Sequence, residues 1–193
     1  MTEARRYSGV AIALHWIIAL AIIGQVALGW WMSELPLGAR KFELFQLHKS
    51  VGLTILLLSL ARVAWRLTHR PPPYAAGVKG WQRTLATSVH AGFYVVMLAL
   101  PLTGWALVSA SPFNIPTQFW GVVPWPHIPG LADLPAARKE SVSEWFEGAH
   151  AWLVRLTVAL FVLHVAGALQ HQLLDRDGTL GRMLPLPGVE KPA

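Results

Sequence analysis

Imidazole is the reactive side chain in this sequence, and most copies of it lie where an unpartnered imidazole is costly. The chain carries eight histidines and no cysteine. His15, His48, His90, His150, His164 and His171 fall inside or at the rims of long apolar stretches, whereas His69 and His127 fall in loops and read as surface groups. A histidine in a membrane interior ligates a metal, moves a proton or hydrogen-bonds a neighbouring helix. The absence of cysteine removes disulfides, iron–sulfur ligation, thiolate zinc sites and the C-x-x-C-H attachment of haem, so any haem here is held noncovalently.

The spacing of these residues narrows the chemistry. His150 and His164 are fourteen positions apart, close to four helical turns, so they share one helix face about 21 Å apart along the axis. One helix can then present a ligand to each leaflet, if other helices supply partners at matching depths.

Four apolar segments can do this. Hydrophobic residues make up 54% of the 193 and charged residues only 13%, against about 25% charged in an ordinary soluble domain. No charged side chain occurs between Arg6 and Glu34, so residues 9–31 can cross the roughly 30 Å hydrocarbon layer as a helix, read as a retained anchor and not a cleaved leader. Further spans are expected over about 42–65, 85–108 and 148–174, the third containing Pro101, with Pro71, Pro72 and Pro73 stopping the second. The long loop over about 109–143 is rich in proline and tryptophan, with room for a short interfacial helix anchored by Trp120 and Trp125. The expected fold is all-α, a single integral membrane four-helix bundle.

Basic residues orient it. The two termini and the loop between spans two and three carry Arg5, Arg6, Arg62, Arg66, Arg70, Lys79, Arg83, Arg176, Arg182 and Lys191, whereas the other side carries Arg40, Lys41, Lys49, Arg138 and Lys139. Ten against five predicts both termini in the cytoplasm. The net charge of +6 is spread over short loops without a contiguous basic tract, which argues against nucleic acid as a partner.

With alternating spans, His15 and His164 fall at one depth in the cytoplasmic half, and His48 and His150 at one depth in the outer half. Two depth-matched histidine pairs suit two stacked haems, each iron taking one axial imidazole from each face. Proton or ion transfer by a haem-free transporter, helix packing, and another metal remain the alternatives on spacing alone. His171 shares nearly the face of His164 but lies within about 6 Å of the boundary at Asp175, so with His90 it is a candidate for a proton or quinone site. Arg62 and Arg66 are candidates for haem propionates or mark the membrane edge. Arg155 lies about 140° around the helix from His150, and Trp16, beside His15, is kept as a haem or quinone contact.

At this point the sequence resembles a known family. The run His15-Trp16, H-K-S-V-G-L-T-I-L-L-L-S-L-A-R-V-A-W-R from His48 to Arg66, H-A-G-F-Y-V-V-M-L-A-L-P-L-T-G from His90 to Gly104, the His150 to His164 spacing and D-G-T-L-G-R-M-L-P from Asp177 to Pro185 together resemble bacterial cytochrome b561. The resemblance implies two b haems, with His15, His48, His150 and His164 as axial ligands, in a bacterial inner-membrane protein that uses ubiquinone as electron acceptor. It also implies a choice of activity. Some members are superoxide oxidases, which take an electron from periplasmic superoxide and reduce quinone; others are cytochrome b subunits that relay electrons for a hydrogenase, another dehydrogenase or a periplasmic carrier. For the first activity Lys41, Lys49, Arg138 and Lys139 are the candidates to guide superoxide. The outer loop departs from compact superoxide oxidases in being longer and richer in proline.

Overall fold

A computed structural model describes residues 6–74 and 78–184; Arg5, Pro185 and Lys191, used above, lie outside the described residues. Four helices carry the fold: α1 (Gly9–Glu34), α2 (Ala39–Thr68), α3 (Gly80–Ala110) and α4 (Ala136–Gln170). At 26 to 35 residues, all exceed the roughly 20 that cross a bilayer. A π-helical turn (His171–Asp175) extends α4, and a short 3-10 turn (Leu180–Arg182) follows.

Local chemistry sets the ends. Ser8 caps α1, its hydroxyl accepting from the Ala11 amide at 3.3 Å and from the Trp65 indole at 3.1 Å. Gln82 returns its side-chain oxygen to the Lys79 amide at the start of α3, while Arg176 and Gly178 take left-handed backbone and end α4. The helix α4 begins at Ala136, well before the apolar span expected from about 148, because Pro135 starts a polar helical lead-in whose side chains need no membrane.

No interfacial helix forms at Trp120 and Trp125. That segment is an antiparallel hairpin, β1 (Thr117–Phe119) and β2 (Val123–Trp125), with Thr117 opposite Trp125. Pro116, Pro124 and Pro126 deny a helix its amide donors, and Trp120 and Gly121 turn the chain with positive φ. The hairpin sits on α2: the Trp120 amide donates to Ser50 Oγ at 3.0 Å and its indole to Thr54 Oγ1 at 3.1 Å.

Sequence neighbours pack: α1 on α2, α2 on α3, α3 on α4. The buried layer includes Ile18, Leu53, Leu56, Ser59, Val96 and Thr157. Outward residues are apolar too, with Leu20 63%, Val95 62% and Val162 59% exposed, which fits a lipid solvent and not water. Among the described residues α4 makes no comparable backbone packing with α1 or α2. The histidines bridge that interval.

Candidate haem sites

Each candidate ligand projects from a long helix, so its depth is fixed by the helix and its direction by what packs beside it. His15 of α1 faces His164 of α4 with ring centres 6.1 Å apart, and His48 of α2 faces His150 of α4 at 6.3 Å. The first pair lies at the terminal end of the bundle, where α1 begins and α4 ends, the second at the hairpin end. A ring nitrogen lies about 1.1 Å from the imidazole centre and a metal–imidazole bond is about 2.0 Å, so imidazoles on opposite faces of one metal have centres about 6.2 Å apart. Both pairs have the separation that one metal bound between the two rings would require.

At the hairpin end, two glycines let the rings in. A Cβ on Gly29 would stand 3.2 Å from His48 Cε1, and one on Gly104 would stand 3.3 Å from His150 Cε1. His150 Nδ1–H donates to the Leu100 carbonyl at 3.1 Å, and Thr103 Oγ1 lies 3.1 Å from the same nitrogen. That bond assigns the proton to Nδ1 and leaves the Nε2 lone pair for a metal. Gln25 donates to the His48 carbonyl at 2.6 Å and ties α1 to α2 beside this candidate ligand. His48 Nδ1 is buried without a hydrogen-bond partner among the described residues.

At the terminal end the surroundings are cationic. Arg62 Nη2 lies 3.3 Å from His15 Nδ1. Arg62 Nη1 is buried with no partner among the described residues, a donor that a carboxylate such as a haem propionate would satisfy. His90 and Phe93 set their rings against His164 at 5.4 and 5.5 Å. Trp16 stands edge-on to His15 at 5.4 Å and donates to the Met183 carbonyl at 2.7 Å, so the chain after α4 straps across this end. Arg6 donates to the Leu184 carbonyl and Arg182 to that of Pro73, both at 2.7 Å.

Other candidates separate. His171 bonds Asp177 at 2.7 Å and lies 3.4 Å from Asp175, whereas His90 sets its ring against His164. Partial burial pushes the Asp177 carboxyl up, but hydrogen bonds from Thr179 and His171 outweigh it and hold the group below the usual carboxylate range. Arg66 lines an apolar groove of about 350 Å³ between α2 and α3 with Val63, Leu67, Tyr94, Val95 and Leu98. Arg155 is exposed on α4. Lys41 binds the carbonyls of Ser33 and Leu35. Lys49 is buried, its ammonium on the Pro116 carbonyl at 3.0 Å and over the Phe45 ring. Arg138 is exposed and Lys139 partly so, in the first turn of α4. Partial burial, then the charges of Lys49 and Lys139, push His127 below its ordinary range, so this loop histidine sits with two of the four proposed guiding cations.

Sequence reasoning missed Gly29, Gln25, Thr103 and the Leu100 carbonyl. Thr103 and Gly104 lay within the quoted L-P-L-T-G run; only their contact with His150 gives them a role.

The pattern describing prokaryotic cytochrome b561 matches residues 6–186. The chain belongs to this family. Its similarity to cytochrome b561 homolog 2 of Escherichia coli is 33% identity over 93% of this chain and 91% of the relative. It is 26% identical to the probable superoxide oxidase CybB of Yersinia pestis, over 94% of this chain and 97% of that protein, and 25% identical to cytochrome b562 of Cereibacter sphaeroides, over 95% and 98%. As a cytochrome b561, the protein is a multi-pass inner-membrane cytochrome in contact with lipid, binding b-type haem and serving electron transfer. That sets aside the haem-free transporter.

Proposed function

We propose that this cytochrome holds two haems, one between His48 and His150 and one between His15 and His164, and carries electrons inward from superoxide outside the membrane to ubiquinone. The observation that carries the reading is the pair of cross-helix imidazole separations, 6.1 and 6.3 Å, on two faces-matched positions of one helix. Bound haem supplies a reversible one-electron couple at each pair.

The residues divide the remaining work. By the positive-inside rule the terminal end faces the cytoplasm and the hairpin end the periplasm. There Lys49, Lys139, Arg138 and Lys41 bias an anion toward the His48/His150 end. Each superoxide gives up one electron and leaves as dioxygen; two electrons and two protons convert ubiquinone to ubiquinol. The apolar groove beside Arg66 and Tyr94 offers a lipid-side berth for a quinone, one turn along each helix from Arg62 and His90.

A second reading, a relay subunit served by a hydrogenase, another dehydrogenase or a periplasmic carrier, is favoured by the bare apolar surface of the hairpin region: Phe113 is 80% and Val122 79% exposed. A reduced-minus-oxidised spectrum with haem quantified per chain, followed by superoxide added to the oxidised protein, separates them. Prompt reduction of two b haems is expected; haems that stay oxidised would point to the relay.

A further inference from the structure

The two ligand pairs are nearly equal in separation but are held by neighbours of opposite character. Resting on the two-haem reading, we infer that the His15/His164 site has the higher reduction potential and the His48/His150 site the lower, with Arg62 and the Leu100 carbonyl setting the difference.

At the hairpin end, His150 Nδ1–H donates to the Leu100 carbonyl at 3.1 Å. Donation from the non-ligating nitrogen makes an imidazole a stronger electron donor to a metal, which favours the oxidised form and lowers the potential. At the terminal end the corresponding nitrogen of His15 meets Arg62 Nη2 at 3.3 Å. A guanidinium only donates and stays charged. Once Nε2 serves as ligand, the Nδ1–H of His15 therefore faces a cation and finds no acceptor in Arg62. The imidazole is a weaker donor there, and the positive charge favours the added electron. Both effects raise the potential.

Other charges do not reverse the order. Lys49 follows His48 in sequence, but successive helical residues project about 100° apart, and its ammonium is held by the Pro116 carbonyl. Arg155 is exposed and about 140° round α4 from His150. At the terminal end the carboxylates of Asp175 and Asp177 sit on His171, seven residues or about 10 Å along the axis past His164, whereas Arg62 lies 3.3 Å from the His15 ring nitrogen. The asymmetry makes electron movement from the hairpin end to the terminal end downhill.

The test is an equilibrium redox titration of the detergent-purified holoprotein, with haem quantified and the couples assigned by which one His15→Ala removes. Two one-electron couples are expected, the His15/His164 couple being the higher. Arg62→Gln should lower that couple by at least tenfold in equilibrium constant, 59 mV for one electron, and leave the other in place; Arg62→Lys should restore most of the shift. A terminal-end couple that is the lower one, or unmoved potentials in a haem-replete Arg62→Gln protein, would overturn the inference. If Arg62→Gln loses haem, the wild-type order decides alone. Fewer than two haems in the wild-type protein would instead refute the reading beneath it.

Discussion

The two ends of the bundle solve one problem with different materials. Both bring an imidazole of α4 to about the same distance from an imidazole of another helix, 6.1 and 6.3 Å between ring centres. At the hairpin end the rings are admitted by Gly29 and Gly104 and one is oriented by a backbone carbonyl. At the terminal end they are ringed by Arg62, His90, Phe93 and Trp16. Under the two-haem reading the two pairs share one spacing and differ in their neighbours, and those neighbours would tune each haem.

The comparison can be broken most sharply at the glycines. Gly104→Val places carbon where His150 Cε1 already stands at 3.3 Å from a bare Cβ. The expected result is loss of the hairpin-end haem with the terminal-end haem kept, read as half the haem per chain in the purified protein. Loss of both would mean that the two ends are not independent.

Gln25→Leu probes a smaller difference, the tie from α1 to the His48 carbonyl. Interhelical hydrogen bonds in membranes contribute about 0.6 kcal/mol on average. We expect a modest loss of thermal stability, with the His48/His150 absorbance bleaching before that of the other pair. Simultaneous bleaching would contradict a local role.

The strap gives the smallest effect. Trp16→Phe keeps the ring beside His15 but removes the donor to Met183, so limited proteolysis should cut after α4 faster while haem content stays unchanged. Protection equal to the wild type would show that Arg6 and Arg182 hold the strap without it.

Much of this was legible in the sequence, for identifiable reasons. Long uncharged runs allow few structures in lipid besides helices, and a spacing of fourteen positions from His150 to His164 places both on one helix face whatever the surroundings. The hairpin was not legible as such: Trp120 and Trp125 signal an interface, but the flanking prolines and the docking to Ser50 and Thr54 determine its shape. Helix ends were also displaced, since hydropathy marks where lipid begins and not where α4 starts. The neighbours of the ligands were the least legible. Arg62 reads equally as a membrane-edge residue until α1 brings His15 to it, and a main-chain carbonyl such as that of Leu100 has no signature in sequence.

The central claim is that α4 carries one ligand for each of two separate haems. Haem per chain, measured with low-spin absorbance in wild type, His150→Ala and His164→Ala, tests it most directly. Two haems in the wild type, with each substitution removing a different one, is the expected result; a single haem, or the same haem lost from both variants, would contradict it.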